Sequence, residues 1–142
     1  MMWKKPVQMA RWDAVVAGLL VAFTMEAVIW LISGRLSLIG GLVGSAVAGY
    51  VASDEPTDGA WHGLLTALSW GTILMPVAVL VTLTRSIGFP FPLEYVIPLL
   101  GSPGDVTTAM VLIVTLPNLL LGAAGSVLRL EQRRVTWPPE WV

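Results

Sequence analysis

The sequence contains no cysteine, and charged residues are scarce in it. The lack of cysteine excludes disulfide bonds, thiolate metal sites, cysteine nucleophiles and a lipid anchor carried on cysteine. Charged residues make up 12% of the 142 residues, whereas soluble domains carry about 25%. The net charge of −1 offers no basic surface for nucleic acid, so no nucleic-acid partner is expected. Because apolar residues make up 56% of the chain, the composition indicates an integral membrane protein in contact with the lipid bilayer.

Four long apolar stretches separate the clusters of charge, and each is predicted to span a bilayer as a helix. A spanning helix needs about 20 mainly apolar residues. The predicted spans are residues 14–34, 36–53, 59–84 and 106–128, of which the second is the shortest. They predict an all-α fold, a polytopic transmembrane four-helix bundle within residues 1–130, followed by a short cytoplasmic tail at 131–142.

Basic residues predict the orientation of these spans. Six of the eight flank the first and last spans, at Lys4, Lys5, Arg11, Arg129, Arg133 and Arg134. The other two, Arg35 and Arg85, lie in the loops that would face the opposite side. Because basic flanking segments stay in the cytoplasm, both termini are predicted to be cytoplasmic, in a multi-pass protein of the plasma membrane.

Small residues recur at intervals of four in the second and third spans. Such an interval places them on one helix face, where they allow two backbones to approach closely. The pattern predicts a tightly packed antiparallel hairpin and leaves two interpretations open. The small faces pack helices within one chain, or one of them joins two copies in a homo-oligomer. The predicted packing positions are Gly40, Gly41, Gly44, Ser45 and Gly49 in the second span and Gly59, Gly63 and Gly71 in the third.

The first and third spans also resemble each other at an offset of 45 residues. The tripeptide Gly-Leu-Leu begins at Gly18 in the first span and at Gly63 in the third. Both spans would start on the cytoplasmic side, so the match predicts two tandem helical hairpins in parallel, an arrangement known among transporters. The alternative is a chance match between two apolar sequences.

Glu26 is the ionisable residue deepest within a predicted span. A carboxylate at that depth costs roughly 2.5–3.5 kcal/mol on insertion scales and is a functional candidate for that reason. The polar Asn118 lies at a comparable depth, and Pro76 and Pro117 each free a backbone carbonyl one turn earlier. Together these four residues are the candidate intramembrane ion or proton site. The alternatives are a protonated Glu26 that donates one structural hydrogen bond between helices, and a Glu26 that faces a partner protein.

Other polar or unusual segments predict no further chemistry. The acidic turn at residues 54–58 with His62 is interpreted as a solvated turn in which Asp58 caps the third span, with a divalent-cation site as the alternative. A lone histidine fails the cluster pattern of zinc sites, and no metal is expected. The apolar, proline-rich loop at 85–105 is predicted to lie in the outer interface, as a lid over the helix ends or as a re-entrant segment. The sequence contains no catalytic constellation or phosphate-binding loop, so neither an enzymatic activity nor a cofactor is expected.

Residues 40–71 resemble a family of small four-helix membrane proteins that is common in halophilic archaea and has no assigned function. The resemblance rests on Ala48-Gly-Tyr-Val-Ala52, on the acidic turn, and on Asp58-Gly-Ala-Trp-His-Gly63. It extends loosely from Arg11 to Leu130. It implies a four-helix membrane protein of haloarchaeal origin and supplies no activity. One departure is the pI of about 5.7, which is mild for a halophile.

Two functions follow as predictions. The leading one is a small non-enzymatic integral membrane protein whose glycine faces pack helices and, in one interpretation, protomers. The alternative is an ion- or proton-linked transporter or channel component that uses Glu26.

Overall fold

The computed structural model describes residues 11–52, 55–85 and 90–136, and most of them are helical. Within these ranges the only strand-like pairing is an isolated bridge between Ser37 and Phe91, so the all-α prediction is confirmed. Lys4, Lys5, Asp54 and residues 137–142 of the predicted tail lie outside the described residues, whereas residues 131–136 continue the last helix. The helices are α1 (Trp12–Ser33), α2 (Ile39–Ala52), α3 (Pro56–Arg85), α4 (Leu93–Val96) and α5 (Pro103–Thr136), with a 3-10 helix at Ile97–Leu99.

The helix in the second predicted span is shorter than the apolar stretch. α1 ends at Ser33, and the next residue, Gly34, has a left-handed φ of +67° and donates its N–H to the Trp30 carbonyl, as is common for glycine after a helix. Residues 36–38 are not helical, and α2 begins only at Ile39. With 14 residues, α2 is about 21 Å long, less than the roughly 30 Å of a bilayer's hydrocarbon core.

α2 occupies the centre of the molecule. It packs against α1, α3 and α5, while α3 packs against α5 and, less extensively, against α1. α2 and α3 therefore separate α1 from α5. α3 and α5 each continue through an internal proline, Pro76 and Pro117 respectively.

Large apolar side chains lie mainly on the outside of the molecule, and small or polar ones lie inside. α1, α3 and residues 111–135 of α5 are long and apolar enough to cross a membrane, yet only 22–29% of each apolar window is buried. Leu31 and Ile32 are each 82% exposed and Leu120 is 70% exposed. Among the described residues, those with 0% exposure include only small or short side chains such as Ala14, Ala22, Ala48, Ala67, Ser45, Thr66 and Ser126.

A small cluster of larger apolar side chains closes one end of this core. Leu93, from the α4 segment, is 1% exposed and packs with Leu38, Trp70 and Leu74. Residues 90–94 therefore pack over the N-terminal end of α2, and Leu93 anchors α4 there.

Candidate functional site

Glu26 lies on α1 and faces the beginning of α2. Its side chain is buried, and Oε1 accepts a hydrogen bond of 2.6 Å from the backbone N–H of Ser37. Oε2 is also buried and has no hydrogen-bond partner among the described residues. A Cβ placed on Gly40 would lie 3.2 Å from Oε2, so only glycine leaves the carboxyl group its present space there. The carboxyl group thus lies at the N-terminal end of α2, where backbone N–H groups and the helix dipole favour an anion.

Oε1 is the acceptor in this bond, and the alternative in which a protonated Glu26 donates a hydrogen bond between helices stays a prediction. A backbone N–H can only donate, so this oxygen accepts. The bond satisfies a donor that would otherwise be buried unpaired, because Ser37 precedes the helix and is itself buried.

Ser37 completes the start of α2 through its own side chain. Its Oγ accepts the backbone N–H of Ile39 at 2.9 Å, in the manner of a helix cap. On either side of Ser37, Leu38 donates to the Phe91 carbonyl at 3.0 Å and Phe91 donates to the Leu36 carbonyl at 3.2 Å. The non-helical residues before α2 are therefore held by α1 on one side and by the residues before α4 on the other.

Asn118 lies on α5 and has different partners from Glu26. Its Oδ1 is 2.6 Å from the Oγ of Ser45 on α2, which also lies 2.9 Å from the Gly63 carbonyl of α3. Its Nδ2 donates to the Val114 carbonyl of its own helix. Asn118 thus joins α2, α3 and α5. No hydrogen bond among the described residues connects it to Glu26, because their partners lie eight residues apart, Ser37 before α2 and Ser45 within it.

The two prolines of the predicted site are also separated. Pro76 is exposed on α3. Pro117 lines a mainly apolar cavity of about 140 Å³ together with Asn118 and Trp70. The indole Nε1 of Trp70 and the Oγ1 of Thr66 are buried and have no partner in the described part of the chain. Of the four predicted residues, Pro117 and Asn118 thus line one cavity, whereas Glu26 and Pro76 do not line it.

Most of the predicted packing glycines contact other helices of the same chain. A Cβ on Gly44 would lie 2.5 Å from the Gly18 carbonyl oxygen, and one on Gly40 would lie 2.6 Å from the Ala22 carbonyl oxygen. Gly41 lies against the indole ring of Trp70. On the other side of α2 and along α3, the contacts with α5 are made by Gly49, Gly59 and Gly63. Gly71 differs, because a Cβ there would meet no atom within 4 Å.

Several residues that complete these contacts were missed by the sequence reasoning. Gly18 is the α1 partner of Gly44, and Gly122 is the α5 partner of Gly49, Gly59 and Gly63. Ser126 adds a hydrogen bond of 3.0 Å from its Oγ to the Gly49 carbonyl. The same interval of four residues was available as a signal in Ala14, Gly18 and Ala22 and in Asn118, Gly122 and Ser126.

His62 forms part of the opposite end of the molecule and is buried there. Its Nε2 accepts the backbone N–H of Arg11 at 2.9 Å, so Nδ1 carries the proton that faces the Asp58 carbonyl at 2.7 Å. The Nε2 bond therefore links the residue before α1 to α3, whereas the Nδ1 contact lies within α3. No cluster of metal-ligating side chains occurs among the described residues.

Comparison with known proteins gives a family and no activity. A family model described as "Family of unknown function (DUF5518)" matches residues 12–128. No curated protein and no solved structure matches the chain. The match agrees with the expectation of a family without an assigned function, and the haloarchaeal origin stays a prediction.

Proposed function

The chain belongs to the DUF5518 family, whose function is unknown, and from this starting point we propose that it is a non-enzymatic integral membrane protein. In this proposal α1, α2, α3 and α5 form a transmembrane four-helix bundle. Both termini face the cytoplasm, and the membrane is the plasma membrane. The role of the chain is that of a compact membrane scaffold that neither catalyses a reaction nor carries a cofactor.

The proposal rests on a distribution of side chains that is the reverse of a soluble protein's: large apolar side chains lie outside, and small or polar ones lie inside. Residues such as Leu31, Ile32 and Leu120 are strongly exposed, and exposed apolar area is unfavourable in water by about 25 cal/mol per Å². In hydrocarbon that cost is absent. Helices in a bilayer associate instead through small residues and interhelical hydrogen bonds, and the interior of this protein contains such residues and bonds.

The hydrogen bonds around Ser37 support membrane insertion in spite of the short α2. Non-helical backbone is tolerated at membrane depth only where protein surrounds it and satisfies its polar groups. Here Glu26 accepts from Ser37, and Phe91 pairs with both Leu36 and Leu38. Because α1, α3 and α5 surround α2, a helix of 14 residues is compatible with the centre of a bundle.

The glycine contacts support two tandem hairpins. Gly18 makes a close approach of α1 to α2, and Gly63, its counterpart at the offset of 45 residues, makes a close approach of α3 to α5. Gly18 and Gly63 thus each allow their helix to approach the next long helix, which is the other helix of the same predicted hairpin.

The topology is tested by single-cysteine labelling, for which a chain without cysteine is well suited. Gly101→Cys lies in the predicted outer loop, and Glu131→Cys lies at the predicted inner end. A membrane-impermeant maleimide is expected to label Gly101→Cys in intact cells and Glu131→Cys only after permeabilisation. Release of the protein from membranes by alkaline washing would contradict insertion, and the reversed labelling pattern would contradict the orientation.

A homo-oligomer through the glycine faces stays a prediction, and the contacts favour packing within one chain. Gly44, Gly49 and Gly63 already face other helices of their own chain. Gly71 is the predicted position that is left open. Native mass spectrometry of the wild type and of Gly71→Leu in mild detergent tests this. A dimer that disappears in the variant would establish the oligomer.

An ion- or proton-linked transporter component is the second candidate, and one observation favours it. Glu26 Oε2 is buried and has no hydrogen-bond partner among the described atoms. A carboxyl oxygen in that position could take up a proton or contribute a ligand to a cation. The other predicted residues do not converge on it, so the candidate rests on Glu26 itself.

Flux into proteoliposomes tests this second candidate. Proton and monovalent-cation flux is measured for the wild type, Glu26→Gln and Glu26→Ala, with Glu131→Gln as the surface control. Loss of a flux in both Glu26 variants but not in the control would establish the candidate. A flux that both Glu26 variants leave unchanged, or the absence of any flux, would exclude it.

A further inference from the structure

The cavity of about 140 Å³ that Trp70 and Asn118 line lies between α2, α3 and α5, beside the residues that precede α4. We call it the Trp70 cavity. An apolar cavity of about 150 Å³ is large enough to bind benzene. None of the described residues that line the Trp70 cavity is charged. Its apolar lining residues are Leu38, Leu42, Pro92, Ile113, Val114 and Pro117.

The lining of the Trp70 cavity disfavours charged ligands and groups of water molecules. A charged ligand would lose its hydration there without meeting a partner of opposite charge, which is strongly unfavourable. A buried water molecule makes about three hydrogen bonds, and among the described side chains only Trp70 and Asn118 bring polar groups to the cavity. An uncharged, mainly apolar molecule of about six non-hydrogen atoms, the size of benzene, therefore suits this cavity.

Trp70 and Asn118 are both buried, and each brings N–H donors to this lining. The indole Nε1 of Trp70 can only donate, and it has no hydrogen-bond partner among the described residues. The ring carbons of Trp70 nearest to Gly41, Cε3 and Cζ3, belong to the six-membered ring, whereas Nε1 belongs to the other ring. The amide nitrogen of Asn118 carries two hydrogens, and its bond to the Val114 carbonyl uses one of them. The two side chains therefore favour a ligand that carries an acceptor.

We propose that the Trp70 cavity binds a small, uncharged, mainly apolar molecule whose one hydrogen-bond acceptor accepts the indole N–H of Trp70. Small cyclic ketones and ethers belong to this chemical class. The apolar part of such a molecule would replace empty space with van der Waals contacts to leucine, isoleucine and valine side chains. Its acceptor would satisfy a donor that is unfavourable when buried and unpaired. Neither function proposed above uses this cavity, and ligand binding here does not depend on insertion into a membrane.

The experiment is an NMR titration of the purified full chain in a neutral detergent, in which the methyl signals of Ile113 report binding. The probe is cyclohexanone, and cyclohexane is the control ligand of similar shape without an acceptor. Val114→Phe fills the cavity. Val111→Phe is its matched control, because Val111 is 57% exposed on the same helix and does not line the cavity. Trp70→Phe keeps an aromatic ring and removes the N–H.

Cyclohexanone is expected to shift the Ile113 signals to saturation in the wild type and in Val111→Phe, but not in Val114→Phe. Trp70→Phe is expected to bind cyclohexanone about three- to tenfold more weakly, the effect of one hydrogen bond, and to bind cyclohexane as the wild type does. Uptake of either ligand by the detergent is the same for every variant and cancels in these comparisons. The proposal is overturned if the shift does not saturate, if Val114→Phe and Val111→Phe respond alike, or if Trp70→Phe does not weaken cyclohexanone binding more than cyclohexane binding.

Discussion

Glu26 Oε1 accepts a hydrogen bond of 2.6 Å from the backbone N–H of Ser37, 11 residues further along the chain. The bond connects the middle of α1 to the non-helical residues that precede α2. It gives the carboxyl group a structural role: it satisfies a buried backbone donor at the N-terminal end of α2. The bond is a structural reason for a buried acidic residue in an apolar helix.

Glu26→Ala is expected to destabilise the protein, and Glu26→Gln is expected to be much milder. Alanine leaves the Ser37 N–H buried and unpaired, which costs about 1–3 kcal/mol. Glutamine retains a carbonyl oxygen that can accept the same bond. Thermal unfolding in detergent and hydrogen exchange of the Ser37 amide measure the two effects. Equal stability of Glu26→Ala and the wild type would show that the Ser37 bond contributes nothing.

Gly49→Ala is expected to disrupt the packing of α2 against α5, whereas Gly71→Ala is not. A Cβ on Gly49 would clash with the Gly122 carbonyl, which is rigid backbone, while a Cβ on Gly71 meets nothing within 4 Å. Overpacking of this kind costs about 1–3 kcal/mol. At Gly71, alanine instead gains up to about 1 kcal/mol of helix propensity. Unfolding temperatures of the two variants give the comparison, and similar values would argue against the close approach at Gly122.

Ser126→Ala is expected to lower the stability of the protein, whereas Thr66→Val is expected to leave it unchanged or raise it. The Ser126 hydroxyl donates to the Gly49 carbonyl at 3.0 Å, and loss of such a bond between membrane helices costs about 0.6 kcal/mol on average. The Thr66 hydroxyl has no partner within the described residues. Replacing it with a methyl group of similar shape is expected to be neutral or stabilising. Urea or thermal unfolding of both variants tests this, and a destabilised Thr66→Val would reveal an acceptor for that hydroxyl.

Leu93→Ala is expected to weaken the packing of residues 90–94 against the N-terminal end of α2. Leu93 is 1% exposed among Leu38, Trp70 and Leu74, and truncating a buried leucine costs about 2–5 kcal/mol. Leu99, which is 82% exposed in the same loop, provides the control. Leu99→Ala is expected to stay within about 0.5 kcal/mol of the wild type. Comparable losses in the two variants would mean that the loop is not anchored through Leu93.

The candidate site was only partly predictable from the sequence. Glu26 and Asn118 stand out because polar residues are rare in apolar stretches, and the structure buries both. Their hydrogen-bond partners could not be predicted: Ser37 belongs to no pattern, and Ser45 was predicted as a packing position rather than as the partner of Asn118. The short α2 was also missed, because hydropathy counts Leu36 and Leu38 as part of the span although their backbones pair with Phe91.

The sequence by itself determined the helical composition and the distribution of apolar residues. These are local properties, because an apolar run without charges and with glycine at its ends favours a helix wherever it lies. The tertiary structure alone decided which polar groups meet. Ser45 and Asn118 are 73 residues apart, and Gly49 and Gly122 come into contact only because two helices cross there. Such pairings depend on packing between helices, and the order of residues along one helix does not specify them.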